Sequence, residues 1–220
     1  MKTPTTPSTK DRAAAWHEAG HAVAAIELDM AFRWVSIQEE EDSLGRVYHG
    51  ELTNKQVERL ELAAYKTGRD AQIRRFIESR IIVTLAGSET AAWFMGSTAE
   101  DEGAGVGNPL TQADADRLNV PKPEVIRGGE PLRLGDRLLL PGGDARQALW
   151  LANQICDSEE ETSAYLEWLR QRTLNLIREK TFGPAVRAVT DELLSHRELS
   201  YRRVKEIATA SLRLFLGSRP

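Results

Sequence analysis

The chain of 220 residues is long enough for one sizeable domain or two small ones. Hydrophobic residues make up 41% and charged residues 28%, with a formal net charge of -4, so no field of one sign points to nucleic acid or an anionic membrane. Aromatic content of 6% argues against a base-stacking surface, and the single cysteine excludes an internal disulfide and a cysteine-rich zinc site. Any metal must then be held by histidine and carboxylate. The lone thiol, Cys156, follows an apolar helical run and reads as a buried core group.

Taken in chain order, the Thr/Pro-rich residues 1–10 are expected to be a disordered tail without the apolar stretch of a secretory signal. A helix is predicted from Asp11, as N-cap, to about residue 28, because its Ala-rich stretch outweighs Gly20. Residues 32–37 and 45–49 read as two short strands, with the acidic residues 38–43 as the turn between them. Residues 54–65 look helical. A longer helix is predicted over 71–94, where Phe76, Ile77, Ile81 and Leu85 recur near helical spacing.

Residues 96–143 are dense in Gly and Pro and include a short predicted strand at 133–140; a stretch of this length is either disordered or a lid over a site. Beyond it, Asp144 opens a helical run to Ile155, and Ser158 begins a second. Pro184 suits the first turn of a third, and Ser200 caps a fourth that ends near Gly217. No segment reaches the roughly 20 apolar residues of a membrane helix; residues 81–93 are too short and carry Glu89. The expectation is a soluble, cytoplasmic, mostly α protein with a small β element near its N-terminus.

The chemistry sits in the first predicted helix. His17 and His21 are four residues apart in the run His17-Glu18-Ala19-Gly20-His21, so a helix stacks them on one face, where both imidazoles can bind one zinc ion. Glu18 then falls beside the open coordination position, able to take a proton from an attacking water and pass it to the leaving amine. Alanines at 13, 14, 15, 19, 22, 24 and 25, with Val23 and Ile26, make this helix apolar nearly all round, as a buried helix should be. Buried histidines and a buried Glu are costly unless something partners them, and a metal would. A catalytic zinc needs a third protein ligand. The remaining histidines, His49 and His196, have no motif support, and spacing alone does not choose among the carboxylates.

The wider sequence resembles the peptidase domain of FtsH-type AAA zinc metalloproteases. The resemblance runs from about residue 11 to 216 and rests first on the HEAGHA run His17 to Ala22, which is its most specific element. Val35-Ser36-Ile37 with Leu44-Gly45-Arg46-Val47 is similar to the family's strand pair, and Ile82-Val83-Thr84-Leu85-Ala86-Gly87 to its helix ending in Leu-Ala-Gly. Asp144, Ala148 and Ala152 look like the helix whose leading Asp is the family's third zinc ligand. The chain departs from the family in having Ser88 after Gly87, Pro141-Gly142-Gly143 before Asp144, and a longer stretch at 97–143. Asp114, Asp116 and Glu89 therefore stand as rival ligands to Asp144.

The resemblance implies a single zincin-like domain over residues 11–220 that hydrolyses peptide bonds, with Zn2+ held by His17, His21 and Asp144 and with Glu18 as base. No Gly-x-x-x-x-Gly-Lys-[Ser/Thr] occurs, so the expected enzyme acts on peptides or unfolded protein without its own ATPase, or is fed by a separate unfolding partner. The family's hexameric assembly does not carry over, so a homo-oligomer stays open. The alternative is an inactive, zinc-stabilised scaffold that binds peptides or protein partners. Substrate docking has two readings: an extended peptide pairs with the edge of the strand at 34–37, or that strand is internal.

Overall fold

The structure, a computed structural model, describes residues 7–38, 45–48, 71–95 and 143–217. Among them are six helices and three short strands: α1 (Thr9–Glu27), β1 (Trp34–Ser36), β2 (Arg46–Tyr48), α2 (Ala71–Met95), α3 (Gly143–Ala152), α4 (Glu159–Ile177), α5 (Phe182–His196), β3 (Glu198–Ser200) and α6 (Tyr201–Gly217). The mostly helical composition with a small sheet agrees with the expectation. The turn over 39–43, the helix at 54–65, His49, and the Gly/Pro-rich stretch up to residue 142 with its short strand lie outside the described residues. No described helix is long and apolar enough to cross a membrane.

The described residues fall into two compact units, 7–38, 45–48, 86–95 and 174–217 in the first, and 71–85 and 143–173 in the second. In the first, α1 starts two residues before the predicted N-cap. Ser8 is the cap, its hydroxyl accepting from Asp11 N–H while the Asp11 carboxylate accepts from Ser8 N–H, a reciprocal capping box. Asp11 is thus the third residue of the helix, and Thr9 and Lys10 are helical instead of tail. At the other end the chain turns at Asp29, whose φ of 56° lets Asp29 N–H and Met30 N–H donate to the Ile26 and Ala25 carbonyls.

α1 packs on α5 and α6, and α5 on α6. The core between them is Ala15, Ala19, Ala22, Val23, Phe182, Val186, Val189, Leu193 and Val204, and each fully buried large side chain contributes about 1.5–3 kcal/mol. Against α1, the stretch Ala86 to Thr90 of α2 comes so close that a Cβ on Gly20 would lie 2.6 Å from Thr90 Oγ1. The small sheet has the order β2-β1-β3, with Val35 paired to Val47 on one side and Leu199 on the other, both antiparallel. β1 is therefore the middle strand. That overturns the docking of a peptide on its edge: both sides of its backbone already carry a partner. The third strand follows directly from α5, whose C-cap Arg197 has a φ of 62°. Arg197 ties three elements together, with its guanidinium donating to Asp11 and to the Ile37 carbonyl, and its own carbonyl accepting from Ile37 N–H.

In the second unit, α3 buries Ala148, Leu149, Trp150 and Leu151, and Ser158 caps α4 through its hydroxyl to Glu161 N–H. Within α2, Phe76 is half-buried, while Ile77, Ile81 and Leu85 are buried, as the helical spacing predicts. So is Arg80, whose guanidinium burial pushes down to about 10. Tyr165 of α4 donates to Glu78 of α2; burial, and then this carboxylate, push the phenol up. Cys156 is half-buried where a buried core thiol was expected, and burial followed by the Glu161 carboxylate pushes it up to about 11. It stays a thiol at neutral pH and is a poor nucleophile.

Candidate metal centre

α1 places its motif inside the protein. Glu18 and His21 are each only 5% exposed, and Ala19, Ala22 and Val23 around them are wholly buried. His17 is half-buried. The i, i+4 spacing brings the two rings together edge to face, with centroids 4.6 Å apart and planes at 84°. Their Nε2 atoms face each other at 3.0 Å. Two nitrogens bound to one tetrahedral zinc at about 2.0–2.1 Å stand about 3.3 Å apart, so the pair already holds nearly the bite the ion needs. In their deprotonated forms both lone pairs can serve one cation.

Two glycines close on this motif. Gly87 of α2 lies against the His21 ring: a Cβ there would sit 2.5 Å from Cε1 and 2.7 Å from Cδ2. Gly45, just before β2, lies against Glu18, where a Cβ would be 2.7 Å from Cγ and 2.9 Å from Oε1. The Leu-Ala-Gly run and the Leu44-Gly45 step are visible in the sequence. That they meet His21 and Glu18 is not, because neither contact is periodic along the chain.

Asp144 stands in the first turn of α3, half-buried, where the partial positive charge of the helix start favours a carboxylate. The helix begins at Gly143, which has a φ of 78°. Among the described residues, His17, His21 and Asp144 are a group that could hold a metal ion. Two imidazoles and one carboxylate are a donor set that suits zinc and leaves a coordination position open. Glu89 is buried in α2 but is not one of that group, and His196 is exposed at the end of α5, its Nδ1 3.7 Å from Glu192. Asp114 and Asp116 lie outside the described residues.

No protein-family model matches the chain, and no curated protein matches it either.

Proposed function

We propose that the protein is a zinc-dependent peptidase in which His17, His21 and Asp144 hold the ion and Glu18 is the general base. The observation that carries this reading is the pair of imidazoles with Nε2 atoms 3.0 Å apart, set beside a buried Glu18 on the same turn of helix. The resemblance of the HEAGHA run to FtsH-type peptidase domains belongs to the same reading.

The zinc, when bound, supplies a Lewis acid that polarises the scissile carbonyl and lowers the pKa of water next to it. The protein's own groups do the rest. Nε2 of His17 and of His21 donate lone pairs, and Asp144 adds negative charge that offsets part of the cation's. Glu18 is adjacent to His17 in sequence, lies against Gly45 and is not one of the ligand group. From there it accepts a proton from the attacking water and returns it to the amine that leaves when the C–N bond breaks. Burial by the surrounding alanines excludes bulk water that would otherwise screen this transfer. With β1 flanked on both sides, the outer edges of β2 and β3 are what the sheet offers an extended substrate strand among the described residues.

The test is Glu18→Gln. It keeps the size of the side chain and removes the base, so the variant should bind zinc at wild-type stoichiometry while cleavage of an unfolded-protein substrate falls by at least about 100-fold. Unchanged turnover in that variant would reject the mechanism. Zinc bound at wild-type level in a chain that cleaves nothing from a diverse peptide library would favour the scaffold reading instead.

A further inference from the structure

We propose that Gly87 and Gly45 are positioning residues for the two halves of the centre, Gly87 for the metal ligand His21 and Gly45 for the base Glu18. The inference rests on the peptidase reading for its chemistry, but the contacts on which it stands do not. A Cβ at Gly87 would lie 2.5 Å from His21 Cε1, far inside the carbon–carbon contact distance of about 3.5–4.0 Å. The atoms it meets belong to a ring held by a helix that is itself buried, so the ring has nowhere to yield except by rotating off its rotamer. Rotation takes Nε2 away from its partner Nε2 on His17, now 3.0 Å distant. Gly87 is a regular helical residue without positive φ, and a glycine inside a helix is unfavourable relative to alanine. What justifies its presence is the space it leaves for the imidazole.

Gly45 does the same for Glu18. A Cβ there would meet Glu18 Cγ at 2.7 Å, Oε1 at 2.9 Å and the Ser36 carbonyl at 2.9 Å. The backbone carbonyl on one side cannot move without breaking the β1–β2 pairing at Ser36 and Arg46. The carboxylate on the other side must give way, which displaces the base and leaves both imidazoles where they are. The two glycines thus predict two different defects from the same chemical change.

The experiment compares Gly87→Ala, Gly45→Ala and a core control, Val204→Ala, in the full-length chain. Val204 is wholly buried in α6 and is not one of the residues placed at the centre. Zinc affinity is read by competition with a chromophoric chelator, thermal stability on the metal-free protein, and kcat and KM on a peptide substrate. Gly87→Ala should weaken zinc binding at least tenfold. Val204→Ala should lower the Tm and leave zinc affinity within about twofold. Gly45→Ala should keep zinc affinity within about twofold and lower kcat at least tenfold with KM unchanged. If Gly87→Ala fails to fold, the pair Gly87→Ala with His21→Ala decides: removal of the ring should restore the Tm to that of His21→Ala alone. Equal zinc affinity in Gly87→Ala and Val204→Ala, or no rescue in the double variant, overturns the role of Gly87. Wild-type kcat in Gly45→Ala overturns that of Gly45. Absence of zinc binding by the wild-type protein overturns the peptidase reading itself, and the metal-free rescue still tests the contact at His21.

Discussion

α1 and α6 are of similar length and belong to the same compact unit, yet they treat polar groups in opposite ways. α6 buries Val204 and Ala208 and turns Arg202, Arg203, Lys205 and Glu206 to solvent, along with Leu214 at 76% exposure. Its ion pairs, Arg202 with Glu206 and Arg203 with Glu192, are exposed or half-exposed and contribute little. α1 is enclosed on nearly all sides and still carries Glu18 and His21 inside. A polar face in water needs no explanation, whereas a carboxylate and an imidazole in a wall of alanines do. The difference teaches that the informative residues of this chain are the polar ones buried in an enclosed helix.

The comparison can be broken most sharply at the metal. Zinc at a hundredfold above its Kd should raise the stability of the wild-type protein by about 2.7 kcal/mol, seen as a Tm that falls on chelation. His21→Ala should abolish that dependence, and a chelation-sensitive Tm in His21→Ala would show that the ion sits elsewhere. Next in size is overpacking. Ala19→Leu, at a position with no exposure, should cost about 1–3 kcal/mol by urea titration; a neutral result would mean that α1 is not enclosed. Removing the cap in Ser8→Ala should cost about 1 kcal/mol on the same measurement.

A pH effect accompanies that cap. Hydrogen bonds from Ser8, then from Arg197, pull Asp11 down from its ordinary 3.8 to about 2. Because the folded value is the lower one, the carboxylate's contribution is present above pH 3.8 and is lost as the pH falls through about 2. Asp11→Asn should therefore be less stable than wild type at pH 5, and the gap should narrow below pH 3.8 and close only below about 2. The carboxylate is half-buried but its partner Arg197 is exposed, so solvent screening keeps the gap small. The smallest expected effect is on α6: Lys205→Ala should change stability by less than about 0.5 kcal/mol, and a larger loss would place its polar face in contact with something.

Much of this was legible in the sequence. The helix over 71–94 was readable because Ile77, Ile81 and Leu85 repeat at the pitch of a helix, and helical spacing survives in any tertiary setting that buries one face. The helix starts at Ser158 and Ser200 were readable because each side chain bonds the backbone only three residues on. Ser8 was missed in favour of Asp11 because both types cap helices; in the structure the two act together in a capping box, and Asp11 also pairs with Arg197, 186 residues away. β3 was missed because three residues are too few for alternation to register, and its existence depends on β1 being there to receive it.

At the candidate centre, the order His17-Glu18-Ala19-Gly20-His21 by itself determined that two imidazoles share a helical face with a carboxylate beside them, since one turn of helix fixes that geometry whatever surrounds it. Only the tertiary structure decided what presses against those side chains. That Gly87 faces His21, that Gly45 faces Glu18, and that β1 is a middle strand with no edge to offer are outcomes of packing between segments far apart in the chain. Local spacing encodes rotation about one axis, and the meeting of two axes is set by which surfaces exclude water together.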